Sequence, residues 1–126
     1  MNKLLLNVLT VFLSTISNAQ PGTLDPSFNP GTGPNGIIRD MKRQPDGKII
    51  IVGDFTLFNG TARNRIARLN ENGSLDNTFN VGTGIVGNAN FVLIQPDGKI
   101  IVSGKTSPGV SSYNGITTNG IARINT

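Results

Sequence analysis

The sequence predicts an all-β fold built from two copies of one antiparallel unit, and three observations support this. Residues 22–54 and 73–105 share 17 identities in 33 positions, at an offset of 51. Short β-branched runs alternate with turns, and the chain is rich in Gly, with 16. After residue 19, no stretch keeps the apolar period of about 3.6 residues that marks an amphipathic helix over three turns.

The first unit begins with two strands joined by a tight turn. Residues 37–43 predict the first strand, although its apolar alternation is imperfect. Pro45-Asp46-Gly47 predicts the turn, because Pro presets φ, Asp bonds nearby backbone and Gly accepts a positive φ. Residues 48–52 predict the second strand, whose β-branched side chains lie on both faces. A strand that is apolar on both faces is expected to be covered on both sides.

The remainder of this unit predicts two more strands. Residues 65–70 alternate apolar and polar side chains less cleanly and predict the third. Asn72-Gly73 then turns the chain toward Leu75–Phe79, which we predict as a fourth strand.

The second unit repeats the same order. Residues 91–94 and 100–102 predict two strands on either side of the turn Pro96-Asp97-Gly98. Further on, residues 119–125 match residues 64–70 at an offset of 55, so four extra residues lie between Gly104 and Tyr113. An insertion of this kind is expected in a loop of a repeated structural unit.

The first 19 residues predict a secretory signal peptide. Lys3 precedes an apolar run from Leu4 to Ile16, and Ser17-Asn18-Ala19 supplies the small residues of a cleavage site. The run is shorter than the roughly 20 residues that a membrane-spanning helix needs. An uncleaved anchor or a buried helix is the alternative. We therefore divide the chain into a signal peptide at 1–19 and two repeats within 20–126, at about 22–72 and 73–126.

Composition excludes several kinds of chemistry. The chain has no Cys, which rules out disulfides, thiolate zinc sites and thiol nucleophiles. It has no His, so the usual general base and the commonest metal ligand are missing. A net charge of +4 without a long basic stripe argues against nucleic-acid binding. An exported protein without Cys fits a bacterial envelope or exterior.

Three or four strands in every 51 to 55 residues is the size of a β-propeller blade. Four motifs recur in both units: G-x-L-D-x-[ST]-F-N, Q-P-D-G-K-I, N-G and [RG]-I-A-R-[LI]-N. Together they resemble the delta-60 repeat, a family of bacterial extracellular β-propeller repeats, over essentially all of residues 22–126. The resemblance implies a secreted or cell-surface protein of a gram-negative bacterium, in a family some of whose members use type IX secretion.

Two blades share one interface and leave two outer faces open, whereas repeat arrays usually need three or more units and closed propellers about four to eight blades. We therefore expect an incomplete propeller that is a fragment of a longer protein, with further blades in cis. A head-to-tail homo-oligomer is the alternative. The other expected partner is a glycan or protein ligand outside the cell. We expect no membrane-spanning segment in the mature chain.

The repeated motif residues are predicted to be structural. They are Leu24, Asp25, Phe28, Pro45, Asp46, Gly47, Leu75, Asp76, Phe79, Pro96, Asp97 and Gly98. We expect the aspartates to bond backbone amides in turns while Leu and Phe pack into the blade. We also expect the repeated cations Lys48, Lys99, Arg68 and Arg123 to pair with the repeated aspartates.

No catalytic, cofactor-binding or metal-binding residue is predicted. Asp25 and Asp76 as catalytic carboxylates or metal ligands are the alternative, as is a weak calcium loop at residues 70–76. That loop lacks the leading Asp and distal Glu of a calcium-binding pattern. The sequence thus favours a non-catalytic scaffold or binding and adhesion module without cofactors. The propeller portion of a secreted carbohydrate-active or other hydrolytic enzyme is the alternative.

Overall fold

A computed structural model describes residues 20–126, and the predicted signal peptide lies outside these residues. The described part contains strands and turns but no helix, so no helix there could cross a membrane. The ten strands are β1 Ile38–Arg43, β2 Ile49–Gly53, β3 Leu57–Phe58, β4 Thr61–Ala62, β5 Ile66–Leu69, β6 Ile85–Gly87, β7 Phe91–Ile94, β8 Ile100–Ser103, β9 Val110–Tyr113 and β10 Ile116–Ile124. The predicted all-β class with antiparallel blades is confirmed.

The first sheet has the order β1-β2-β5, with all neighbours antiparallel. The β-branched strand β2 lies in the centre, and Ile50 pairs with Lys42 on one side and Arg68 on the other. Both faces of β2 are buried, with Ile50 and Val52 in one cluster and Ile51 in another, which suits the apolar run predicted there.

The second sheet has the order β6-β9-β10-β8-β7 and is larger because β10 serves two partners. The first half of this nine-residue strand pairs with β9, and its second half pairs with β8. A register shift between Thr117 and Gly120 bends the strand where it passes from one partner to the other. In the first repeat the same length of chain is divided into β4 and β5, and Arg65 between them has a φ of 62°.

Both repeats contain a hairpin closed by Asn-Gly. Asn59 and Gly60 have φ values of 48° and 73°, and Asn114 and Gly115 have 46° and 77°. Two consecutive positive φ values define the type I′ turn, whose twist matches that of the flanking strands.

Each sheet has two faces, a front face and a back face, which we define by the residues that they carry. The front face carries Ile50, Val52 and Ile66 in the first sheet, and the back face carries Ile51, Ala67 and Leu69. The matching residues of the second sheet are Ile101, Ser103 and Ile121 in front, and Val102, Ala122 and Ile124 behind. The front face of the first sheet packs on the back face of the second in one buried cluster. A second cluster covers the back face of the first sheet.

The predicted fourth strand at Leu75–Phe79 is wrong. This segment makes one isolated bridge, between Leu75 and Leu69, and then turns through hydrogen bonds that involve Asp76. An aspartate that bonds backbone two residues ahead favours a turn over an extended ladder. The predicted insertion lies in the loop between β8 and β9.

Candidate functional site

The structure places the two copies of the Leu-Asp motif in different surroundings. Asp76 is 3% exposed and lies just after β5, because a tight turn at residues 70–73 reverses the chain. Its Oδ1 accepts hydrogen bonds from the amide and the hydroxyl of Thr78, at 2.9 and 2.6 Å. Its Oδ2 accepts from Lys48 Nζ at 2.8 Å and from Arg68 Nε at 2.7 Å. Both carboxylate oxygens are therefore fully engaged.

These contacts set the charge state of Asp76. Burial alone raises the pKa of this carboxyl group, but hydrogen bonds from Lys48, Thr78 and Arg68 outweigh burial and hold the pKa well below its ordinary value. Asp76 is thus ionised at neutral pH and held between two cations. The Arg68 guanidinium also lies 4.7 Å from the centre of the Phe79 ring, at a distance suited to a cation–π contact.

Asp25, the repeat partner of Asp76, lies in the open. It forms the same turn, accepting from the amide and hydroxyl of Ser27 at 2.9 and 2.6 Å, and these bonds lower its pKa. Within residues 20–126, however, no cation pairs with it. Neighbouring Leu24 is 96% exposed, whereas its counterpart Leu75 packs against the cluster on the back face of the first sheet.

The two Pro-Asp-Gly turns are nearly identical. Asp46 Oδ1 accepts from the Lys48 amide at 3.0 Å, and Asp97 Oδ1 accepts from the Lys99 amide at 3.1 Å. Gly47 has a φ of 88° and Gly98 of 86°, so both need glycine's conformational freedom. The cations differ: Lys48 reaches Asp76, while Lys99 pairs with Asp97 at 2.9 Å.

An open cleft of about 450 Å³ lies between the ends of β1 and β7. Its lining consists of Arg43, Gln44, Pro45, Ile94, Gln95 and Pro96, the same stretch of both repeats. The Oε1 atoms of Gln44 and Gln95 are buried there without a hydrogen-bond partner. Arg43 pairs with Glu71 at 2.9 Å. The cleft offers apolar contacts, two Gln side chains and the charged Arg43, a mixture that suits binding of a polar ligand.

The side chains of the suggested calcium loop serve the turn itself. Asn72 Oδ1 accepts from the amide and hydroxyl of Ser74, Asn70 donates to Ser74, and Asp76 turns toward Lys48 and Arg68. Among residues 20–126, no group of three or more acidic side chains is arranged to hold a metal ion.

The asparagines of the repeated Asn-Gly motif, which are not among the predicted structural residues, bind the loop before each hairpin. Asn59 Oδ1 accepts from the Gly33 amide at 2.8 Å, and Asn114 Oδ1 accepts from the Thr83 amide at 3.2 Å. Their signal was the Asn-Gly pair at matching positions of both repeats.

Two similar antiparallel units whose sheets stack face to back define a β-propeller repeat protein. The chain matches the model of a family described as "Domain of unknown function (DUF5122) beta-propeller" at residues 44–79 and 95–126, more than half of its length. It belongs to this family. No curated protein and no solved structure matches the chain.

Proposed function

We propose that the protein is an exported, non-catalytic β-propeller module that acts as a scaffold or binding surface. The state of the repeated aspartates carries this proposal. Asp76 is ionised and held by Lys48 and Arg68, and Asp46 and Asp97 bond the amides of their own turns. Carboxylates engaged in this way position the chain and are poorly placed to exchange protons with a substrate.

The cleft between Gln44 and Gln95 is the binding surface that we assign to this role. It is an open cleft that combines apolar walls with Gln and Arg side chains, and it is built from corresponding positions of two adjoining repeats. Such a surface suits the hydroxyl groups of a glycan or the backbone of an extended peptide.

Binding is tested with soluble polysaccharides, namely laminarin, xylan and dextran, by titration calorimetry on the purified chain. We expect heat of binding without product formation, weakened by Gln44→Ala and unchanged by Lys105→Ala in a distant loop. Release of reducing sugar that Asp76→Asn abolishes in a folded protein would establish an enzyme instead. If none of the three polysaccharides binds, the cleft is not a glycan-binding surface.

Export rests on the leader predicted at residues 1–19 and on the resemblance to delta-60 repeats, which also suggests a gram-negative host. Fusing these residues to alkaline phosphatase, which is active only after export, tests the leader. We expect phosphatase activity and a processed chain that begins at Gln20. An inactive, uncleaved fusion would place the protein inside the cell.

A further inference from the structure

The contact between the two repeats provides a template for a contact between two chains. Inside the chain, the front face of the first sheet carries Ile50, Val52 and Ile66 into a cluster with the back face of the second sheet. At the edge of this contact, Lys48 and Arg68 form ion pairs with Asp76. Every part of this contact has a repeat counterpart elsewhere in the chain.

The front face of the second sheet is the open counterpart of the first. Three large apolar residues there are more than half exposed: Phe91 at 53%, Leu93 at 55% and Ile121 at 56%. Pairing across the strands places them on one surface with Arg123. Phe91 and Leu93 occupy the positions of Asp40 and Lys42 in the first repeat, so this face is more apolar than the face already buried within the chain.

The back face of the first sheet is the other docking surface, and the chain covers it only in part: Ile51 and Leu69 are buried, whereas Phe28 and Met41 are 44% and 53% exposed. It bears a partly open apolar cavity of about 150 Å³, lined by Phe28, Pro30, Pro34, Ile38, Met41, Ile49, Ile51, Phe58 and Leu69. The counterparts of Phe28, Pro34, Ile49 and Ile51 are Phe79, Ile85, Ile100 and Val102, which the first repeat covers in the buried cluster. Leu24 and Asp25 project beside this surface and are exposed.

The charges on the two surfaces are complementary. Asp25 has the same turn with Ser27 that Asp76 has with Thr78, and within residues 20–126 no donor reaches its Oδ2. Lys99 and Arg123 are the counterparts of Lys48 and Arg68. Lys99 rests on the exposed Asp97 of its own turn, a contact that a lysine readily exchanges or shares.

We propose that a second copy of this chain docks head to tail. Asp25 of one copy contacts Lys99 and Arg123 of the next, as Asp76 contacts Lys48 and Arg68 within the chain. Phe91, Leu93 and Ile121 cover the apolar back face beside Asp25. Because each copy presents both surfaces, the contact propagates until a ring closes, and closed propellers of about four to eight blades correspond to roughly two to four copies. This assembly goes beyond the scaffold role and can fail while export and ligand binding hold.

Charge reversal with sedimentation velocity on the purified full chain tests the proposal. We expect one discrete oligomer for the unchanged chain. Asp25→Lys and Arg123→Asp should each weaken self-association at least about tenfold, since facing like charges oppose docking. An equimolar mixture of these two variants should regain the oligomer, because the charges become opposite again. Lys105→Asp, in the loop after β8, is the charge control and should leave association unchanged.

Cross-linking tests the same contact without relying on charge, because the chain has no cysteine of its own. Mixed Asp25→Cys and Arg123→Cys chains should form a disulfide-linked pair on mild oxidation. Asp25→Cys mixed with Lys105→Cys should not. Circular dichroism confirms that each variant is folded. A monomer at all concentrations, or an oligomer that Asp25→Lys leaves intact, would overturn the proposal.

Discussion

Arg68 donates from Nε to Oδ2 of Asp76 at 2.7 Å, and this contact joins the end of one repeat to the beginning of the next. Lys48 shares the same oxygen, and the carboxyl group is 3% exposed. A buried carboxylate with two cations is costly to disturb on one side alone, because the remaining charges lose their partner.

Asp76→Asn is therefore expected to lower the free energy of unfolding by about 3 kcal/mol. The amide keeps the size of the side chain but removes the charge that Lys48 and Arg68 face. Urea unfolding followed by circular dichroism measures the change. Asp97→Asn is the matched control, since Asp97 forms the same kind of turn and its pair with Lys99 is about half exposed. If both variants lost the same free energy of unfolding, burial of the Asp76 carboxylate would not be the cause of its larger contribution.

The same carboxyl group predicts a loss of stability in acid. The pKa of Asp76 in the folded chain lies below the value of about 3.9 in an unfolded chain. Its contribution is therefore fully present above the unfolded pKa and is lost as the pH falls toward the folded pKa. Urea unfolding at a series of pH values should show the advantage of the unchanged chain over Asp76→Asn shrinking below about pH 4. A constant difference down to pH 2 would contradict this linkage.

Ile66 and Ile121 occupy the same position in the two repeats but differ in exposure. Ile66 is fully buried between the sheets, whereas Ile121 is 56% exposed. Ile66→Ala should cost about 3 kcal/mol of stability, and Ile121→Ala less than about 1 kcal/mol. Thermal or urea unfolding in dilute solution, where chains are separate, measures both. Comparable losses would show that the front face of the second sheet is covered within the single chain.

Gly53 and Gly33 are required for different reasons: Gly53 leaves no space for a Cβ, and Gly33 has a positive φ. A Cβ on Gly53 would lie 2.0 Å from the carbonyl oxygen of Ile37, while a Cβ on Gly33 would meet no atom within 4 Å. Gly33 instead has a φ of 73°. We expect Gly53→Ala to cost about 3 kcal/mol through backbone displacement, and Gly33→Ala about 1 kcal/mol through its φ. Unfolding midpoints that rank the two variants in reverse would refute this account.

Local signals predicted much of the fold. The β-branched run of β2 and the Pro-Asp-Gly turns lie where we expected, because both depend on residues close together in sequence. The β3–β4 hairpin was not predicted, since two-residue strands carry no measurable periodicity. The continuous β10 was also missed, because its bend depends on pairing with two separate partners.

The candidate site was only partly predictable. Pairing of the repeated cations with an aspartate was expected, but the difference between Asp25 and Asp76 was not, because their local motifs are almost the same. Burial of Asp76 depends on Lys48, which is 28 residues away in sequence, and on the sheet that brings it near. Local motifs fix the turn, whereas tertiary packing fixes the environment.

Leu75 packs into the cluster on the back face of the first sheet and Phe79 into the cluster between the two sheets, although only three residues separate them. A cut at the repeat boundary after residue 72 would detach Leu75 from the sheet that it covers. Proteolysis or truncation there should therefore damage both halves rather than release an intact one. We therefore expect the two repeats to unfold as one cooperative unit, and a shortened chain for separate study must keep the segment that links them.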